Sequence, residues 1–128
     1  MSLPRRKRRG FEAERRLARM LARKRGNHVF RVPVSGSREL PDVFMVNDSE
    51  DRVVAFEVKT CSGNRVKVPG SQVARLLRFV NAFGKYRRRE AVVAVCFRGE
   101  GRWVFRLVRS PLPEDVVVRS DEESDWAP

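Results

Sequence analysis

Hydrophobic and polar positions follow two kinds of pattern along the chain, one typical of helices and one typical of strands. A spacing of three to four residues predicts two helices, over residues 11–25 and 71–84. Runs rich in Val, Phe and Ala predict five strands, at residues 28–34, 42–47, 52–61, 91–98 and 102–108. Shorter extended pieces are expected within residues 62–71 and at residues 116–118. This order predicts an α/β domain with a single mixed β-sheet flanked by helices.

The strand over residues 52–61 carries charge where the pattern otherwise builds a core. Because side chains alternate along a strand, Glu57 and Lys59 share one face and stand about 7 Å apart. One interpretation is a solvent-facing ion pair. However, the strand is apolar on both faces before Glu57. Polar side chains confined to the far end of such a strand indicate the mouth of a cleft.

Asp42 opens the preceding strand, directly after a proline. If the two strands pair as a hairpin, counting outward from the turn places Asp42 roughly opposite Glu57. Two carboxylates bind a hard cation such as Mg²⁺, and the backbone carbonyl of Val58 offers a further ligand. Lys59 is suited to orient or deprotonate an attacking water. The set is typical of phosphodiester hydrolysis.

Charge is uneven along the 128 residues, whose formal net charge is +12. Residues 1–31 hold 12 basic and 2 acidic side chains, and residues 114–128 hold 1 basic and 6 acidic ones. A basic body favours binding to a polyanion such as nucleic acid, the alternative being that basicity only aids solubility. The chain lacks an apolar run of membrane length and a signal-like segment, so an intracellular protein is expected. Cys61 and Cys96 are interpreted as buried thiols.

Four ordered blocks resemble a known family. Pro41-Asp42 followed by Glu57-Val58-Lys59 resembles the PD-(D/E)xK nuclease motif. Three further segments resemble archaeal Holliday junction resolvases: "RRGFEAERRLARML", "FRVPVSGSRELPD" and "VPGSQVARLLRFVNAFG". The similarity runs from about Arg9 to about Val108. It implies a restriction-endonuclease-like core and a homodimer that cuts four-way DNA junctions symmetrically in recombination and repair.

The resemblance also implies roles for individual residues. Glu14 would be a helix-borne acid that completes a Mg²⁺ site with Asp42, Glu57 and the Val58 carbonyl, and Mn²⁺ would substitute for Mg²⁺. Lys59 would be the catalytic lysine. The loop serine that assists cleavage would be Ser35, with Ser37 as the alternative. Glu12 competes with Glu14, but the Ala13-Glu14-Arg15 register matches better.

DNA contacts and the dimer interface are implied in the same way. The residues expected to bind DNA are basic: Arg8, Arg9, Arg15, Arg31 and Arg38. Phe79 and Phe83, four residues apart on the second helix, would lie at the dimer interface, and core packing is the alternative.

Three segments are expected: a flexible basic arm (1–9), a nuclease domain (10–110) and an acidic, mobile tail (111–128). The expected location is the cytoplasm, in association with DNA. Two other functions stay open. One is a nuclease of the same fold that acts on other DNA structures, and the other is a non-catalytic basic protein that binds nucleic acid. Asp42, Glu57 and Lys59 distinguish the last, because a pure binder has no need of them together.

Overall fold

The structure is a computed structural model that describes residues 5–32, 40–110 and 112–128, with only the backbone described for residues 5–9. The helices are α1 (Arg5–Ala22) and α2 (Gly70–Asn81). The strands are β1 (His28–Arg31), β2 (Val43–Asn47), β3 (Arg52–Cys61), β4 (Arg65–Val68), β5 (Arg88–Phe97), β6 (Arg102–Leu107) and β7 (Val116–Arg119). No helix in the described ranges is long and apolar enough to cross a membrane.

A five-stranded sheet in the order β1-β2-β3-β5-β6 forms the centre of the molecule. Strands β3 and β5 are parallel neighbours, and the other three pairs are antiparallel. A parallel pair needs a long crossover, and α2 lies within the one that joins β3 to β5. This confirms the predicted α/β class with a mixed sheet. The structure adds a separate antiparallel ribbon, β4 with β7.

The two helices cover opposite faces of the sheet. Leu17 of α1 belongs to the same buried cluster as Phe56 of β3. Leu76 of α2 belongs to another cluster with Ala55, the neighbour of Phe56 along the strand. Because successive residues of a strand point to opposite faces, Glu57 shares the α2 face with Ala55.

Helix α1 begins at Arg5, earlier than the predicted helix start at residue 11. The prediction of a flexible arm over residues 1–9 is therefore wrong for residues 5–9, whose backbone is helical. Arginine and lysine are good helix formers, so a basic run continues a helix that the apolar stripe begins further along the chain. Residues 1–4 lie outside the described part of the chain.

The acidic segment after residue 111 is not a mobile tail, and that prediction is also wrong. Val116–Arg119 pairs with β4, in agreement with the extended piece expected at residues 116–118. Further on, Trp126 is only 7% exposed and joins the core cluster under α1. Its ring packs edge-on against Phe56, at 5.2 Å between centroids, and against Phe105 at 5.5 Å. One apolar anchor fixes a segment that its acidic composition alone would leave loose.

Residues 120–126, here called the C-terminal strap, run along the outer edge of β6. The Asp125 N–H donates to the Phe105 carbonyl at 3.0 Å. The Phe105 N–H donates to Ser124 Oγ at 2.9 Å, and the Leu107 N–H donates to Asp125 Oδ1 at 2.7 Å. The strap therefore satisfies backbone groups that an edge strand leaves unpaired.

Candidate active site

The β2–β3 hairpin sets Asp42 beside the charged end of β3. Val43 pairs with Phe56, which brings Asp42, the residue before Val43, close enough to Glu57 for their charges to interact. The Asp42 N–H donates to the Phe56 carbonyl at 3.2 Å. In return, the Val58 N–H donates to Asp42 Oδ2 at 2.9 Å. The carboxylate of Asp42 is thus fixed by a backbone donor of the strand that carries Glu57.

Glu57 is only 3% exposed, and two cations hold its carboxylate. Arg75 on α2 donates from one guanidinium nitrogen to Glu57 Oε2 at 2.6 Å. Lys59 Nζ lies 3.5 Å from Glu57 Oε1, which confirms that both side chains share a face of β3. A buried carboxylate requires such partners, because burial of an unpaired charge is costly.

Sequence reasoning missed Arg75. The signal was present, since Arg75 lies four residues before Phe79 and so shares a helix face with it. An arginine on the face of α2 that meets the sheet needs a buried acid as a partner. Because Glu57 points to the same face, it provides that acid.

Glu14 enters the site from α1 and is 7% exposed. Burial raises the pKa of Glu14 from the usual value of 4.5 to about 7, and the negative charge of Asp42 raises it as well. The charge of Arg31 on β1 acts in the opposite direction. Glu12, the alternative acid, is exposed. The structure therefore brings Glu14, and not Glu12, towards Asp42.

Asp42 and Glu57 also hold their protons more tightly than usual. Burial raises the pKa of Asp42, against the Val58 hydrogen bond and the charges of Arg75 and Lys59. Burial and the charge of Asp42 raise the pKa of Glu57, against the same two cations. The negative charge of Asp42 acts on both glutamates, so the three carboxylates are near enough to repel one another.

Within the described ranges, no three His, Cys, Asp or Glu side chains are grouped closely enough to hold a metal ion. Glu14 approaches from the helix on the other face of the sheet, and Glu57 is engaged by Arg75. The donor chemistry nevertheless fits a hard divalent cation, because mutually repelling carboxylate oxygens are the ligands such an ion prefers.

The other predicted site residues are distributed as follows. Arg15 on α1 and Arg31 on β1 are exposed, and no acidic partner lies in ion-pair contact with either among the described residues. Ser35, Ser37 and Arg38 lie outside the described residues. Arg8 and Arg9 lie on the helical backbone of α1, and their side chains are likewise outside the description.

Phe79 and Phe83 belong to a row of five aromatic rings along one side of the molecule. Neighbouring centroids lie 4.9–6.4 Å apart, in the order Phe30, Phe44, Phe79, Phe83, Tyr86. Phe30, at the end of the row, is 48% exposed, whereas Phe79 and Phe83 are half-buried. The row thus joins the core to the surface, and both predicted roles of Phe79 and Phe83 fit it.

A mixed sheet between two helices, with an aspartate, a glutamate and a lysine at the end of its hairpin, is characteristic of restriction-endonuclease-like nuclease cores. The archaeal Holliday junction resolvase (Hjc) family matches residues 5–123 of the chain. The chain therefore belongs to the archaeal Holliday junction resolvase family.

Individual relatives agree with this assignment. The chain is 33% identical, over 114 residues, to the crossover junction endodeoxyribonuclease Hje of Saccharolobus islandicus, a match that covers 88% of this chain and 79% of that protein. It is 32% identical to the Hje of Saccharolobus solfataricus, with the same coverage. The solved structure of Archaeoglobus fulgidus Hjc matches with a TM-score of 0.66 at 23% identity, over 87% of this chain and 84% of that one. That structural likeness confirms the fold.

Proposed function

We propose that this protein is a structure-selective endonuclease that resolves four-way DNA junctions by hydrolysing two phosphodiester bonds symmetrically. It would act as a homodimer on DNA in the cytoplasm, in recombination and repair. The observation that carries the proposal is the pairing of Asp42 with Glu57 and Lys59 across one hairpin, with buried Glu14 beside them. A protein that only binds DNA has no use for this buried cluster.

Asp42, Glu57 and the Val58 carbonyl are the groups that would hold Mg²⁺ or Mn²⁺, with Glu14 completing the site. The Val58 N–H points at Asp42, and the carbonyl of a strand residue points to the same side as its N–H. The bound cation would supply Lewis-acid activation of water and charge neutralisation at the phosphate. Lys59 would orient the attacking water, and Arg75 would hold Glu57 in position.

DNA binding would rest on the exposed arginines of α1 and β1. Arg15 and Arg31 flank Glu14, and Arg8 and Arg9 would extend the basic surface towards the start of the helix. Arg38 and Ser35, or Ser37, would act from the loop between β1 and β2. Phosphate contacts carry no direct information about base sequence, so recognition would depend on the shape of the junction. Binding through phosphates would weaken as the salt concentration rises.

The aromatic row would provide the dimer interface. A four-way junction presents two equivalent strands, so a twofold-symmetric pair of active sites matches it. Phe79 and Phe83 continue to the exposed ring of Phe30 through Phe44. Aromatic rings that bridge core and surface are typical anchors of protein interfaces.

The test compares a labelled immobile junction with a linear duplex of the same arm sequence, in Mg²⁺ and in EDTA, with excess duplex competitor. Paired symmetric nicks in the junction alone, dependent on Mg²⁺, are expected. Glu57→Gln, which keeps a hydrogen-bond acceptor for Arg75, should abolish cutting and leave junction binding intact. Cutting at full rate by this variant would refute the site.

The matched control uses the two acids of α1. Glu14→Gln should abolish cutting, whereas Glu12→Gln on the exposed side should not, since only Glu14 is buried beside Asp42. Equal cutting of duplex and junction would instead favour a nuclease of the same fold with another DNA substrate. Binding without cutting in any metal would favour a non-catalytic DNA-binding protein.

A further inference from the structure

A groove of about 670 Å³ begins at Val58 and Lys59 of the proposed active site and includes residues to which the proposed chemistry gives no role. It is lined by the end of β3 and the turn beyond it, residues 58–62. Gly10 of α1 and Arg98, in the turn between β5 and β6, also line it. The volume falls within the roughly 300–1,000 Å³ that is usual for ligand sites. We call it the strand-end groove.

Arg98 lacks the acceptor that its burial calls for. Its backbone N–H donates to the Cys61 carbonyl at 2.9 Å, which fixes the residue at the end of β3. Its side-chain Nε is buried, yet no described atom accepts a hydrogen bond from it. No carboxylate in the described ranges forms an ion pair with its guanidinium either. Because no described carboxylate neutralises it, the guanidinium of Arg98 leaves a positive charge at the groove, where an anionic ligand would be stabilised.

Gly10 is a second unexplained feature of the groove. It is the sixth residue of α1, where glycine disfavours the helix relative to alanine. A Cβ added at Gly10 would meet no described atom within 4 Å, so protein packing does not require a glycine there. A missing side chain at the side of a groove permits close approach of a ligand's backbone.

We propose that the strand-end groove holds the DNA strand next to the cut, with one phosphate on Arg98 and the sugar–phosphate backbone passing against Gly10. This rests on the proposed function, which places Lys59 beside the water that attacks the cut phosphate. Arg98 and Gly10 then act on the same DNA strand: Arg98 by its charge, and Gly10 by leaving room for the backbone. A nucleic-acid backbone supplies both the anion and the extended form that the groove accommodates.

The charge is tested by measuring junction affinity in EDTA, where no cutting occurs, over a range of salt concentrations. Arg98→Ala should weaken binding on the order of tenfold at low salt and reduce the salt slope by about 1. The control is Arg109→Ala, because Arg109 is exposed at the opposite end of the β5–β6 hairpin. Equal affinities and salt slopes for the two variants would overturn the proposal.

The shape is tested by Gly10→Ala, for which stability and binding should change in opposite directions. Alanine favours a helix more than glycine does, so the folded protein should be more stable and Tm should rise by roughly 3–5 °C. Junction affinity should fall at least several-fold, because the new methyl group meets the DNA backbone. A higher Tm with unchanged affinity would show that nothing passes close to Gly10, and would contradict the proposal.

Location is tested through Cys61, which lines the groove and is half-buried, whereas Cys96 is 2% exposed. Junctions with a disulfide-activated tether on successive phosphates near the branch point should crosslink at a narrow set of positions, and Cys61→Ser should abolish the product. Crosslinking at no position, or equally at all, would overturn the proposal. These readouts do not need cutting, so a protein that binds without cutting would refute the proposed function and leave the groove testable.

Discussion

Replacement of Glu14 by glutamine should stabilise the protein while it removes the proposed activity. The pKa of Glu14 is raised from 4.5 to about 7, so the folded protein holds this proton more tightly than the unfolded chain does. Between these two values the folded state binds more protons, and its stability therefore falls as pH rises. Glutamine mimics the protonated acid at every pH, so the variant avoids this loss.

The size of the effect follows from the same two values. The difference of about 2.5 between the usual pKa of Glu14 and its raised pKa corresponds to at most about 3 kcal/mol in the free energy of unfolding. The charges of Asp42 and Glu57 contribute to the raised pKa of Glu14, and the pKa of each of these two carboxyls is raised as well; this coupling makes about 1–3 kcal/mol the better expectation. The free energy of unfolding of Glu14→Gln should thus equal that of the wild type at pH 4 and exceed it by this amount at pH 8.

Urea unfolding at pH 4, 6 and 8, followed by circular dichroism in EDTA, measures the difference directly. The Glu12→Gln variant serves as the control, since Glu12 lies exposed on the same helix. Addition of Mg²⁺ at pH 8 should narrow the gap, because a bound cation offsets the repulsion among the carboxylates. A Glu14→Gln variant that is less stable than wild type at pH 8, or equally stable at every pH, would refute the reasoning.

Three further predictions concern the C-terminal strap, the candidate site and the aromatic row. Trp126→Ala should cost about 2–4 kcal/mol in urea unfolding, somewhat less than a central core position, because the chain end can relax; a loss below 0.5 kcal/mol would contradict the packed strap. Arg75→Ala removes a cation that lowers the pKa values of Asp42 and Glu57, so the acid limb of the pH–rate profile should move to higher pH, and an unchanged profile would argue against it. Phe79→Ala should weaken the dimer on the order of tenfold in analytical ultracentrifugation; a monomeric wild type, or an unaffected dimer, would exclude the aromatic row as the interface.

The central hairpin was predictable because local rules determine it. An apolar run of strand length, a turn and alternating side chains suffice to place Asp42 opposite Glu57. The two buried helix faces were likewise predictable from their periodicity. These elements need no knowledge of distant contacts, since each buries its own apolar face.

The sequence did not predict the features that depend on contacts between residues far apart along the chain. Arg75 joins the site through its contact with Glu57, 18 residues away along the chain, and the helix pattern alone does not identify that partner. The strap is held by the Trp126 ring and by hydrogen bonds with β6, whereas its composition resembles that of a loose tail. Hydrophobic periodicity shows which face of a segment is buried. It does not show which side chains or backbone groups of another segment will contact that face.

The strap covers one edge of the five-stranded sheet, the edge formed by β6. Along β6, Ser124 and Asp125 already occupy hydrogen-bonding positions that an incoming strand from another molecule would need. Addition of strands from further copies is thereby opposed on the β6 side. A sheet that is blocked at one edge can form closed pairs but not open stacks. For a strongly basic protein, this blocked edge would oppose fibrous aggregation without any change to the hairpin that carries the proposed site.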